Sequence, residues 1–152
     1  MNKSVSALVI AIVLLLAGCG EEVGAVRVNI PGIWEGYISQ GSIPGTPNKG
    51  DLTLTINNEL ECTVEGFVDG SLPEWGGEFH LEISGLGYVD GNKRLFGAVK
   101  VVRTRPGSEP DSINGTISGE FNLVSAGAFG DWFGDPGELF NGVGLWTVIK
   151  DY

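Results

Sequence analysis

The segment from Gly130 to Asn141 contains the most unusual combination of residue types in the chain. It places three acidic residues among three large aromatic ones, namely Asp131, Trp132, Phe133, Asp135, Glu138 and Phe140. Carboxylate oxygens of this kind suit Ca²⁺, but the acidic residues lack the alternating spacing of a calcium-binding loop. Pro136 and Gly137 are typical of a turn. We therefore predict no metal site here, and expect either an exposed interaction loop or a lid over one end of the fold.

A basic cluster stands out on this otherwise acidic chain. Five of the nine lysine and arginine residues lie within 13 positions: Lys93, Arg94, Lys100, Arg103 and Arg105. We interpret it mainly as the solvated outer face of a strand, where positive charges also discourage pairing between sheet edges. The alternative is a site for an anionic headgroup, a glycan or a partner.

The chain offers little that favours catalysis. His80 is the single histidine, and Glu78 and Glu82 flank it on the predicted outer face of a strand, where we expect it to contact water. No nucleophile elbow, zinc motif or phosphate-binding loop occurs. We predict no enzymatic activity and no cofactor. An envelope hydrolase is kept as an alternative, because paired carboxylates for glycoside hydrolysis are recognised in space rather than in sequence.

The N-terminus has the layout of a secretory signal. Lys3 precedes an apolar run from Ala7 to Ala17, and small residues follow the run. The run has 11 residues, whereas a helix that spans a bilayer needs about 20. The sequence Leu16-Ala17-Gly18-Cys19 resembles the lipobox of bacterial lipoproteins. This resemblance implies cleavage before Cys19, a diacylglycerol on its sulfur and a fatty acyl chain such as palmitate on its new amine.

That resemblance also implies an organisation and a location. Residues 1–18 become a signal peptide with a signal helix, residues 19–31 a lipid-anchored tether, and residues 32–152 a single domain. The protein is then expected in the bacterial cell envelope, attached to a membrane through Cys19. Aspartate after the cysteine often retains such lipoproteins at the inner membrane. Gly20 occupies that position here and favours the outer membrane, if the cell has one.

The net charge excludes one class of partner. The whole chain carries −10, and removal of Lys3 with the signal leaves −11 on the mature part. This negative charge argues against nucleic acid and against adhesion to anionic headgroups. The two cysteines are Cys19 and Cys62, so Cys62 has no intramolecular partner once Cys19 carries lipid. It alternates with polar residues between Leu60 and Val64, which predicts a buried strand position rather than a reactive thiol.

Period-two alternation indicates an all-β domain. Apolar and polar residues alternate in successive segments separated by turns, and the chain contains 25 glycines. We predict a small antiparallel up-and-down β-barrel, with a β-sandwich as the alternative. Residues 126–141 look like a loop. The predicted strands are 33–40, 52–56, 60–68, 79–83, 94–104, 113–124 and 143–150.

A short motif opens the first strand. Gly32-Ile33-Trp34 resembles the Gly-x-Trp that begins lipocalins and related ligand-binding barrels, where the tryptophan closes the bottom of the barrel. Gly144-Leu145-Trp146 repeats the triplet, so we expect both tryptophans at one barrel end. The sequence thus predicts a non-enzymatic binding or protein-interaction role in the envelope, with another envelope protein as partner. The alternative is a lipocalin-like carrier of a small apolar ligand.

Overall fold

The computed structural model describes residues 29–41 and 48–150. The predicted signal helix, Cys19 and most of the predicted tether lie outside the described residues. The regular secondary structure in the described part of the chain is eight strands and one 3₁₀ turn at Pro73–Trp75. The strands are β1 Gly32–Ser39, β2 Lys49–Ile56, β3 Glu61–Leu72, β4 Gly77–Val89, β5 Arg94–Thr104, β6 Asp111–Asn122, β7 Gly127–Gly134 and β8 Val143–Lys150.

The eight strands form a closed antiparallel barrel in chain order. Each strand pairs with the next, and β8 returns to β1, with Trp34 opposite Lys150 and Ile38 opposite Trp146. The predicted up-and-down barrel is confirmed, and its alternative, the β-sandwich, is not what the chain forms. Closure matters physically because it leaves no unpaired sheet edge.

One strand was missing from the prediction. Residues 127–134 form β7, so the expectation of a loop over 126–141 is wrong for its first half. Ala128, Gly130 and Trp132 face inward, while Phe129 and Phe133 face solvent. Small inward residues and aromatic outward residues hide the usual alternation of apolar and polar types, although the period of two is present.

The barrel has two unlike ends. At the lower end the chain enters at Gly32, the turns 57–60, 90–93 and 123–126 connect neighbouring strands, and β8 ends at Lys150. At the upper end lie the 3₁₀ turn and two longer connections, residues 105–110 and 135–142. No helix in the described part of the chain is long and apolar enough to cross a membrane.

The three lower turns share one device. A side-chain oxygen of Asn57, Asp90 or Asn122 accepts hydrogen bonds from two backbone N–H groups that follow it. The last residue of each turn adopts a positive φ, at Leu60, Lys93 and Ala126. In the first of these turns Leu60 is thus the left-handed residue, and Asn57 acts as a hydrogen-bond acceptor.

Alternate residues of all eight strands fill the interior. The inward positions that carry side chains are mostly Leu, Ile, Val, Phe and Trp, and these form one buried cluster. Gly115 and Gly119 lie on this inner face of β6. Gly119 is needed for close approach, because a Cβ atom there would lie 2.3 Å from Cζ2 of Trp146.

Candidate functional site

The barrel interior is occupied by the protein's own side chains. Trp34, Trp132 and Trp146 are 0%, 0% and 3% exposed. Two of these rings fill space that glycines leave open, Trp146 against Gly119 and Trp132 against Gly142. An eight-stranded barrel is just wide enough for side chains to fill it. The indoles complete that filling, so the interior is a packed core.

Each buried indole also has a hydrogen-bond acceptor for its N–H group. Trp34 Nε1 donates to the carbonyl of Ile30 at 2.8 Å, and Trp132 Nε1 donates to that of Ser39 at 2.8 Å. Trp146 Nε1 lies 3.1 Å and 3.2 Å from two carbonyl oxygens of β6 and β7. A buried indole without such an acceptor would be costly. These bonds fix the rings in place.

The tryptophans do not share one barrel end. Trp34 lies at the lower end and packs edge-on against Phe121, with ring centroids 4.9 Å apart. This placement agrees with the closing role that the resemblance implied. Trp146 pairs with Ile38, four residues further along β1, and its ring crosses the middle of the barrel. The expectation that both plug one end is therefore wrong, because their registers differ by four residues.

The predicted interaction loop is split between three environments. Trp132 is buried in the core, and Asp131 accepts a hydrogen bond from the Ser118 hydroxyl at 3.0 Å. Phe133 is exposed on the outer face of β7. The second half, residues 135–142, folds over the upper end, where Phe140 is buried. The segment is thus a strand with an exposed outer face, joined to a lid over the upper end.

The lid is held by a carboxylate. Glu138 Oε1 accepts hydrogen bonds from the backbone N–H of Asn114 at 3.2 Å and from its side-chain amide at 3.4 Å. Asp135 donates its backbone N–H to the Asn114 carbonyl at 2.9 Å. The acidic residues of this segment therefore have structural partners. The described residues contain no group of three or more potential metal ligands.

A buried ion pair closes the upper end, and we did not predict it from the sequence. The Arg103 guanidinium donates to both oxygens of Asp111, at 2.9 Å and 2.5 Å. It lies between two aromatic rings, 4.9 Å from the centroid of Trp75 and 4.0 Å from that of Phe140. The hydrogen bond from Arg103 lowers the pKa of Asp111 below its ordinary value.

The predicted basic cluster does not form one site. Lys93 and Arg94 lie at the lower end, where Arg94 pairs with Asp90, whereas Arg103 and Arg105 lie at the upper end beside Asp111. Arg94 and Arg103 lie nine positions apart on β5, a distance of roughly 30 Å along the strand. Lys100 points outward between the two ends. The five residues therefore do not form one surface, and the interpretation as a solvated outer face does not hold for Arg103, which is neutralised inside the barrel.

His80 and Cys62 have defined surroundings. His80 Nδ1 lies 2.6 Å from Oδ1 of Asp69, and its ring stacks on Phe67 with centroids 6.0 Å apart. It therefore has a carboxylate partner that the sequence did not reveal. Cys62 is 1% exposed, which confirms the predicted burial. Desolvation raises the pKa of its thiol to about 11, so the reactive thiolate is disfavoured.

The outer face of the barrel carries a depression and several exposed apolar side chains. One depression, about 480 Å³ in volume, lies where β8, β1 and β2 meet. Exposed apolar side chains also occur on β7 and β8, among them Phe129, Phe133 and Ile149. Larger exposed apolar patches in soluble domains commonly mark interaction sites.

Comparisons with known proteins add no relatives to this picture. No protein-family model matches the sequence. Neither the curated proteins nor the solved structures provide a significant match.

Proposed function

We propose that this chain is a lipid-anchored protein of the bacterial cell envelope whose barrel is a rigid, non-enzymatic module that contacts another envelope protein through its outer surface. The packed interior is the observation that carries the proposal. A carrier needs an interior that its own side chains leave open. Here Trp34 lies near the lower end, Trp146 at mid-height and Trp132 near the upper end of the barrel, and Phe140 covers that upper end.

The outer face provides contact residues. Phe129 is 60% exposed and Phe133 47% exposed, and both project from the same side of β7. Leu139, on the lid, is 75% exposed. Aromatic side chains are enriched in protein interfaces, and a strand is a rigid element on which to present them. Phe133 and Leu139 belong to the segment in which the sequence predicted an interaction loop, and Phe129 lies directly before it.

The lipid anchor follows from the lipobox-like sequence before Cys19. Asn29, where the described lower end begins, follows Cys19 by ten positions. A fully extended chain of that length reaches at most about 35 Å. A lipid on Cys19 would therefore keep the barrel within reach of partners at the same membrane.

The anchor has a direct test. Cys19→Ala should abolish incorporation of labelled fatty acid and block normal processing, because no thiol remains to be modified. Cys62→Ala is the matched control and should be labelled as the wild type is. Continued labelling of Cys19→Ala would disprove the anchor.

The interaction role requires an experiment in the native envelope. A photo-crosslinking residue at Phe129 or Phe133 should give a discrete adduct with a second protein. The same residue at Lys100, which is exposed on β5 across the barrel from β1, is the control and should give none. Native mass spectrometry of the purified protein should then reveal no retained small molecule. A stoichiometric apolar ligand together with no adduct would instead establish the lipocalin-like carrier.

A further inference from the structure

The depression of about 480 Å³ on the outer wall has a definite construction. Backbone of β1, including Gly36, forms its floor, and Tyr37 and Ile149 rise beside it. Both of these side chains are 59% exposed. The register places Glu35 between Ile149 and Thr53, and places Tyr37 between Thr147 and Asp51. The depression thus combines an aromatic ring, an aliphatic side chain and two carboxylates.

The two carboxylates have no basic partner. In residues 29–41 and 48–150, neither Glu35 nor Asp51 forms an ion pair. They lie on neighbouring strands, diagonal to one another across the β1–β2 pairing. Diagonal neighbours in a sheet are about 7–8 Å apart, a separation at which one bound group can contact both.

The Tyr37 ring already attracts a cation. Lys49 Nζ lies 5.7 Å from the centroid of that ring. This distance is near the outer limit of about 6 Å for a cation–π contact. The lysine belongs to the adjoining strand and is not among the residues that line the depression. The ring is therefore a suitable receptor for a positive group that enters the depression itself.

We propose that this depression is the docking site for an arginine side chain of the partner protein. The proposal rests on the proposed interaction role and names the chemistry of its partner. A planar guanidinium can stack on Tyr37 while its N–H groups donate to Glu35 and Asp51. Its methylene stem can pack on Ile149. A lysine ammonium offers no flat face for stacking, and it holds its hydration shell more strongly.

Charge complementarity separates this occupant from the alternatives. An acidic partner or a phosphate would place like charges together beside Glu35 and Asp51. A neutral sugar could stack on Tyr37 but would leave both carboxylates without a counter-charge. The whole chain carries −10, so the surrounding field also favours a basic partner.

The proposal can be tested with a small probe. The full chain, labelled with ¹⁵N and held in detergent micelles, is titrated with acetyl-arginine methylamide while the Gly36 and Thr147 amide resonances are followed. Saturable shifts are expected, with a Kd of about 1–10 mM for a single side chain. Acetyl-citrulline methylamide, a neutral compound of similar shape, should bind at least about tenfold more weakly if charge contributes about 1.4 kcal/mol.

Matched variants identify the site. Glu35→Gln combined with Asp51→Asn should abolish saturation by the arginine probe. Glu109→Gln combined with Glu120→Gln removes the same charge from exposed positions elsewhere and should leave the Kd unchanged. Tyr37→Leu should weaken binding severalfold, because it retains an apolar surface but no aromatic face.

Three results would overturn the proposal: equal shifts with the citrulline compound, saturation by methyl β-glucoside instead of arginine, or unchanged binding in the Glu35 and Asp51 double variant. The crosslinking experiment gives an independent outcome. An adduct from Phe129 that persists in the double variant, without arginine binding, would leave the interaction role intact and remove only this site.

Discussion

Replacement of Asp111 by asparagine should destabilise the barrel by an amount that reflects the burial of Arg103. The Arg103 side chain is 7% exposed and its two hydrogen bonds end on Asp111. The new side chain would keep one acceptor oxygen but remove the negative charge. The guanidinium would then remain between Trp75 and Phe140 with only a neutral amide beside it.

The expected cost follows from burial. Removal of one partner from a buried ion pair costs roughly 3–5 kcal/mol, because the remaining charge is uncompensated. The Asp111 side chain is 21% exposed, so water can replace part of the lost interaction. We therefore expect a decrease of about 2–3 kcal/mol in the free energy of unfolding.

Urea unfolding at pH 7, followed by tryptophan fluorescence, measures this change. Asp90→Asn is the matched control, since Asp90 pairs with Arg94 at an exposed turn and asparagine can still accept the turn's backbone hydrogen bonds. Its unfolding midpoint should remain close to that of the wild type. A loss for Asp111→Asn no larger than that of the control would refute the argument that the upper end depends on a buried charge.

The same pair predicts a pH dependence with a definite sign. Hydrogen bonding from Arg103 lowers the pKa of Asp111 from 3.8 in the native state. The resulting stability is fully present above pH 3.8 and is lost as the pH falls through the lower, native-state pKa. The Asp111→Asn variant should therefore lose less stability than the wild type over this acid range.

Two further predictions concern the core. Burial raises the pKa of Cys62 from 9.0 to about 11, so the free energy of unfolding should decline as the pH rises through this interval. Cys62→Ala should reduce this decline in urea titrations at alkaline pH. An identical decline in both proteins would contradict the prediction. Gly119→Ala should destabilise by about 1–3 kcal/mol through overpacking, because its Cβ would meet Trp146. Gly127→Ala, whose Cβ would have ordinary contacts at 3.4 Å or more, should be nearly neutral in the same urea assay.

The sequence predicted the parts of the fold that depend on alternation. Cys62 was placed inside because its neighbours alternate between apolar and polar types, and the structure buries it. The β7 strand was missed because Ala128 and Gly130 occupy two of its inner positions while Phe129 and Phe133 face outward, so apolar and polar types do not alternate. The packing of the Trp146 ring against Gly119 joins residues distant in sequence, so no local pattern reveals it.

The candidate sites were harder to predict, because the presence of a charged residue in a strand does not by itself determine whether its side chain points into the barrel or towards solvent. Arg103 was grouped with Lys100 as a surface cation, yet it has the same odd parity as Val99 and Val101 and points inward with them. Parity alone would have placed it inside. The unfavourable burial of a charge argued against that position until Asp111 was known to face it.

The missed strand β7 and the unexpected burial of Arg103 together indicate how the barrel is organised. Its interior is filled by side chains, with indole rings packed against glycines. The charge of Arg103, beneath the lid, is neutralised by Asp111. Carboxylates with structural partners, such as Asp111 and Glu138, belong to that framework. Glu35 and Asp51 form no ion pair in the described part of the chain and line the depression beside an exposed tyrosine. We therefore place the function of the barrel on its outer wall, in the depression that combines these carboxylates with Tyr37 and Ile149.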